Sequence, residues 1–202
     1  FFIIKKMRSN CKHLGAILFE DESLAPAWLE DFVKDKRKKI LVTAGLSGEQ
    51  ERKDLFKEVF NDNKYTVAFH STKNNGSEDF YGNDNFNIIQ VLPYADLFMH
   101  HGGTGSNYQG LKLGIPMLAL PNHFEQQING AQLEKTGAGL SFYPFDINPK
   151  NVRKKVEDIL SNPSFKENAV AFSRTITKNP LESAVKCISG GYERFKQEHN
   201  LK

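Results

Sequence analysis

From Lys38 to Tyr143 the chain repeats one pattern: a short apolar run, a turn rich in glycine or small polar residues, then a helix-patterned segment. Apolar runs this short and continuous read as strands buried on both faces, and strands separated by helices pair in parallel. KKILVTAG is β-branched and closes on Gly45, and SGEQERKDLFKEVF after it sets Leu55, Phe56, Val59 and Phe60 on one helical stripe. Further strands are predicted at YTVAF (65–69), FNIIQVL (86–92), ADLFMH (95–100), IPMLALP (115–121) and AGLSFY (138–143). Helices are predicted over GTGSNYQGLKLG and over FEQQINGAQLEKTG, the latter ended by Gly137 and Gly139. The pattern predicts an α/β fold built on a Rossmann-like doubly wound parallel sheet.

The flanks carry helical signals. Asn148 followed by Pro149 makes a capped start, and Val152, Val156, Ile159 and Leu160 form the inward stripe of a helix running to Asn162, with further helices towards the C-terminus. PAWLEDFVK (26–34) reads as a short helix, so residues 1–37 are predicted to be a lead-in or linker and residues 38–202 one domain. The 27 basic and 24 acidic residues are interspersed, which argues against a nucleic-acid partner, and KDKRKK (34–39) reads as a solvated helix end. Cys11 and Cys187 lack metal or redox spacing, pointing to inert thiols in a reducing compartment, with a structural disulfide as the lesser alternative. No apolar run approaches the roughly 20 residues of a membrane span, and FFIIKKMRSN has its charges on the wrong side of the apolar residues for a signal peptide. A cytoplasmic chain that begins midway through a longer reading frame is expected.

The stretch FMHHGGTGSNYQGLKLGIPMLALP (98–121) places small polar residues where the fourth strand meets a helix. In an open parallel sheet ligands bind beyond the carboxyl ends of the strands, against helix N-termini. Gly102, Gly103 and Gly105 allow a tight turn and close backbone approach, Thr104 and Ser106 can cap the helix or donate hydroxyl hydrogen bonds, and free amides at a helix start attract anions. Such a start suits a phosphate or diphosphate ligand; taken alone, the turn also reads as a tight strand-to-helix connection without one. There is no GK[ST] of a P-loop and no third glycine of a dinucleotide fingerprint. His100 and His101 point to opposite faces of a strand and so do not share a metal ion; no metal and no cofactor is expected.

HGGTGSNYQ, followed by Gly114 and Pro116, Pro121, Glu125, Gln126 and Asn129, resembles the donor signature of GT-B glycosyltransferases, specifically the family 1 UDP-glycosyltransferases and their macrolide-glycosyltransferase relatives. The outline of that signature is HGGxxSxxE, then G[VI]P, then PxxxDQxxNA. LGAILFEDESLAPAWLEDFVKDKRKKILVTAG is similar to the interdomain linker and first strand of the family's C-terminal domain. The resemblance implies one half of a GT-B fold, binding a nucleotide sugar, with UDP as the inherited nucleotide. It also implies a partner, the N-terminal acceptor-binding domain or subunit that carries the catalytic base, so that no catalytic residue lies in this chain.

Carried over residue by residue, the resemblance implies that His101, Gly103, Thr104, Gly105 and Ser106 cradle the diphosphate, Gln109 meets the ribose, and Glu125 and Gln126 meet the transferred sugar. Ile89 and Gln90 would present backbone groups to the base, and the Gly45 turn, with Thr43 and Ser47, would face the same cleft. Gln109 stands where the family usually has a glutamate, and Glu125 where it has an aspartate. Two other readings compete with a glycosyltransferase half: a noncatalytic binding or scaffold subunit with a decayed donor site, and an epimerase on the same fold, which the signature disfavours. His13, His70, His123 and His199 read as surface or structural.

Overall fold

The computed structural model describes residues 24–43, 49–71, 80–82, 85–176 and 179–199. Within them β1 (Lys38–Thr43), β2 (Tyr65–His70), β3 (Tyr81–Gly82), β4 (Leu97–His100), β5 (Met117–Ala119) and β6 (Gly139–Ser141) form one parallel sheet in the order β3-β2-β1-β4-β5-β6. In the centre, Val42 pairs with Met99 across β1 and β4, and Met99 pairs in turn with Leu118 of β5. Every residue of β4 is buried, as a strand covered by helices on both faces requires.

Two cores lie on opposite faces of the sheet. On one, Ile40 and Val42 pack with Phe56 and Val59 of α2 (Glu49–Val59) and with Val152, Val156 and Ile159 of α6 (Pro149–Ser161). On the other, Leu41, Phe98 and Met117 pack with Leu111 of α4 (Thr104–Lys112), Leu133 of α5 (Phe124–Thr136) and Ala169 of α7 (Ser164–Ser173). Each large side chain so buried stabilises by roughly 1.5–3 kcal/mol relative to exposure. Local signals set the helix ends: Asn148 Oδ1 accepts from Asn151 N at 3.0 Å ahead of Pro149, and Gly137 closes α5 at φ 69°.

The third predicted strand is corrected. FNIIQVL holds the short helix α3 (Ile88–Val91) and a 3-10 turn over Leu92–Tyr94, and the strand at that edge is the two-residue β3. Asn87 decides this locally: its Oδ1 accepts from Ile89 N at 3.0 Å, capping the turn, and Pro93 follows. A short apolar run satisfies a buried strand and a buried helical turn equally, so its composition could not separate them. Ahead of β1, α1 (Leu29–Lys34) buries Phe32 against the sheet, with the Trp28 ring 5.9 Å from Phe32 and 4.9 Å from Phe86. The lead-in is thus packed onto the domain from Trp28 onward.

At the other end α8 (Pro180–Glu198) leaves Leu181, Val185, Ile188, Tyr192 and Phe195 exposed along one side. No described helix is long and apolar enough to cross a membrane.

Candidate functional site

The strand order creates a crevice. The chain leaves β1 towards β2 through α2 on one face, and leaves β4 towards β5 through α4 on the other, so the connections diverge above the adjacent carboxyl ends of β1 and β4. Such a switch point is where open α/β sheets bind ligands. The turn after β1, with Gly45 and Ser47, lies outside the described residues; Thr43, the last residue of β1, is buried, with its hydroxyl 3.5 Å from His70 Nδ1. On the β4 side stand His101, Gly102 and Gly103.

His100 closes β4 and is 1 % exposed. Its Nδ1 accepts from Gly102 N at 3.0 Å, which places the ring proton on Nε2, an atom with no hydrogen-bond partner among the described residues. Burial, with His101 adding to it, pushes the His100 pKa down to about 3. His101 is half-buried and also held neutral, by burial first and then by the charge of Arg52, against the opposing pull of Glu125. Its Nδ1 is buried without a hydrogen-bond partner among the described residues, whereas Nε2 lies against the start of α4: a Cβ built on Gly103 would stand 2.6 Å from it.

α4 begins without a side-chain cap. Its N-cap is Gly103, and the bond from Asn107 N to Gly103 O at 3.1 Å opens the helical ladder, so the amides of Thr104, Gly105 and Ser106 stand ahead of it. Of the two roles open to Thr104, capping the helix or donating a hydroxyl hydrogen bond, the second is the one seen. Thr104 Oγ1 donates to Glu125 Oε1 at 3.3 Å and accepts from Asn129 Nδ2 at 3.2 Å. Above Gly105 the ground is open: apart from its chain neighbours and the helix's own backbone, no atom of the described residues lies within 4 Å of where a Cβ would stand. A neutral imidazole, three uncapped amides and a helix dipole thus converge on one partly open spot, which suits an anion.

The start of α5 braces this cradle. Asn129, 4 % exposed, donates through Nδ2 to Gly102 O at 3.1 Å and to Glu125 Oε1 at 2.5 Å. Gln126 is buried, its Oε1 accepting from Asn122 N at 2.8 Å, while Glu125 is exposed at the helix start. Gln109 is half-buried and lies one turn beyond Ser106 on the same side of α4.

The sequence pattern of the protein family described as "Erythromycin biosynthesis protein CIII-like, C-terminal domain" matches residues 82–189, more than half of the chain. The chain belongs to this family. Over 186 residues it is 25% identical to UDP-glucuronosyltransferase 2C1 of Oryctolagus cuniculus, covering 86% of this chain and 36% of that protein. It is also 31% identical over 113 residues to the NDP-glycosyltransferase YjiC of Bacillus licheniformis, covering 52% of this chain and 28% of the relative. Among solved structures, spinosyn rhamnosyltransferase SpnG complexed with thymidine diphosphate superposes with a TM-score of 0.74 at 17% identity, covering 90% of this chain and 53% of that one. That likeness shows a shared fold. The chain spans less than half the length of these curated relatives.

Within this CIII-like domain the structure brings His101, Gly103, Thr104, Gly105, Ser106 and Glu125 together around the start of α4. It engages the amides of Ile89 and Gln90 elsewhere: both donate to Asn87, to its Oδ1 and to its carbonyl, inside the α3 turn. The bracing role of Asn129 rests on a residue that the signature contains but to which the sequence assigned no contact. Arg52 of α2 was not anticipated at all. It is 7 % exposed and its guanidinium Nη2 donates to Asn122 Oδ1. Within GEQERKDL nothing distinguishes Arg52 from a solvated helix charge, and only the assembled sheet brings it here. Among the described residues no group of three His, Cys, Asp or Glu side chains suits a metal ion.

Proposed function

We propose that the chain is the donor-binding half of a glycosyltransferase, taking a nucleoside-diphosphate sugar, foremost a UDP-sugar, for inverting transfer to an acceptor held by an N-terminal domain or subunit. The observation that carries this reading is the anion cradle at the switch point: the uncapped start of α4 beside the neutral ring of His101. With its proton on Nε2, His101 donates to a phosphate oxygen next to the amides of Thr104, Gly105 and Ser106. As the glycosidic bond breaks, negative charge builds on the departing diphosphate, and donors already aimed at it stabilise that charge more than the ground state. This needs no metal. Glu125 and Gln126 flank the sugar side and Gln109 the ribose, while Ile89 and Gln90 line the base side through groups other than their amides.

The names of the relatives support this reading, UDP and TDP both figuring among them, and SpnG was solved with thymidine diphosphate. The apolar row on α8, together with exposed Phe124, Tyr143 and Phe145, supports a partner domain, because apolar patches of this kind mark contact surfaces. The catalytic base belongs to that partner.

Calorimetric titration of the 202-residue chain with UDP and with TDP tests the proposal. Binding of at least one nucleotide is expected, weakened about 10-fold or more by His101→Ala, the worth of one charge-assisted hydrogen bond. Absence of heat at millimolar nucleotide would overturn it in favour of a noncatalytic subunit, the reading that Gln109 in place of an acid recommends. Gly103→Ala separates the ring from the fold. At φ −63°, ψ 146° an alanine is unstrained, yet its Cβ would displace His101 Nε2. A near-unchanged melting temperature with a roughly 10-fold loss of nucleotide affinity is expected; retained affinity would count against the role of the imidazole.

A further inference from the structure

We infer that Arg52 is a diphosphate-binding residue of this chain, its guanidinium supplying the fixed positive charge over the carboxyl end of β4 beside His101. The inference rests on the nucleotide-sugar reading above and extends it to α2, outside the stretch that the family pattern matches.

Topology places the group. In the sheet β4 lies between β1 and β5. Arg52 stands near the start of α2, which follows β1, and Asn122 stands in the connection after β5. The hydrogen bond from Arg52 Nη2 to Asn122 Oδ1 therefore bridges over the end of β4, where the chain continues into His101, Gly102 and Gly103. Asn122 is itself fixed, since its amide donates to Gln126 Oε1 and the carbonyl of Gln126 packs against Gly102. The side chain is thus held over the end of β4 by its bond to Asn122, close enough for its charge to act on His101.

The chemistry fits the position. A guanidinium presents five N–H donors in a planar fork that matches phosphate oxygens, and it stays charged when buried. The charge of Arg52 also disfavours a second cation on His101. The two groups divide the work: Arg52 carries the charge and His101 the directional hydrogen bond.

The test compares UDP or TDP, whichever binds more tightly, with the corresponding nucleoside, at low and high salt, for the unaltered chain, Arg52→Gln, Arg52→Lys, Asn122→Ala and His101→Ala. Arg52→Gln is expected to weaken the diphosphate about 10- to 100-fold and to flatten its salt dependence, with nucleoside affinity within about threefold. Asn122→Ala, which removes only the support, should cost less than Arg52→Gln. If the unaltered chain binds no nucleoside diphosphate, the proposed function falls and this inference with it. If His101→Ala weakens binding but Arg52→Gln changes it by less than about threefold, Arg52 alone is overturned. Equal losses for diphosphate and nucleoside in Arg52→Gln would make it a structural latch and likewise overturn the inference. Should Arg52→Gln fail to fold, Arg52→Lys decides: a drop of about threefold or more in the diphosphate-to-nucleoside affinity ratio supports the assignment, and a smaller change rejects it.

Discussion

Between pH 6.5 and about pH 4 the chain is expected to lose roughly 3 kcal/mol of unfolding free energy through His100. In the folded chain the pKa of His100 is pushed down to about 3 from 6.5, chiefly because the ring is sealed in the sheet. The folded state therefore stays neutral at this site while the unfolded state takes up a proton, so stability is complete above pH 6.5 and falls as the pH drops towards 3. Protonating Nδ1 in place would break its bond with Gly102 N and leave a cation sealed in the sheet beside His101. His101, also depressed but half-exposed, acts in the same direction with smaller weight. The carboxylates of Asp35 and Asp62 are held below their usual range by hydrogen bonds from Arg37 and Arg153, so their protonation belongs to more acid conditions. Urea unfolding in half-unit pH steps measures the slope, which His100 alone raises towards about 1.4 kcal/mol per pH unit. His100→Asn, whose Oδ1 is able to accept from Gly102 N, should flatten it. Equal slopes for the two chains would refute the assignment. The same bond shapes the turn of the anion cradle, and because the folded chain keeps His100 neutral over this range, that turn and the nucleotide affinity it supports should hold until the pH approaches 3.

The architecture was readable because a strand covered on both faces must be apolar throughout. β5 carries that mark along its whole length and β4 as far as His100, and α6 announces both its cap at Asn148 and its stripe at Val152, Val156 and Ile159. The failure at FNIIQVL has the same root. An uninterrupted apolar run reports burial and says nothing of the backbone, and a single Asn87 side chain turned it into a helix. β3, two residues long, offers no period to detect.

The candidate site was legible where backbone geometry demanded particular residues, and illegible where the fold brought distant ones together. His101 and the glycines beside it stand out because a chain leaving a buried strand for a helix has few reasons to spend bulk-free residues except close approach. The internal use of Gln126 and the braces made by Asn129 are two-element contacts between the loops after β4 and β5. Their residue types follow from the signature, but their partners follow only from register. Arg52 is the extreme case: its bond to Asn122 joins residues 70 positions apart and depends on β4 lying between β1 and β5.

Gly102→Ala is expected to destabilise the chain by about 2–4 kcal/mol, through two independent costs at one atom. Gly102 holds φ 83°, where a Cβ costs roughly 1–2 kcal/mol in an L-residue, and that Cβ would stand 2.9 Å from the carbonyl oxygen of Gln126. The oxygen belongs to the backbone of α5 and has no rotamer to escape into. Relief would require α5 to move, and with it Glu125 and Asn129, which hold Thr104. The expected loss is about 4–16 °C in melting temperature for a domain of this size, with nucleotide affinity falling further than in Gly103→Ala. Gly105→Ala supplies the contrast. It sits in the first turn of α4 with no other described residue against it, so an alanine there should stabilise by about 0.5–1 kcal/mol. If Gly102→Ala melted within about 2 °C of the unaltered chain, the left-handed turn after His101 would not be what holds the cradle against α5.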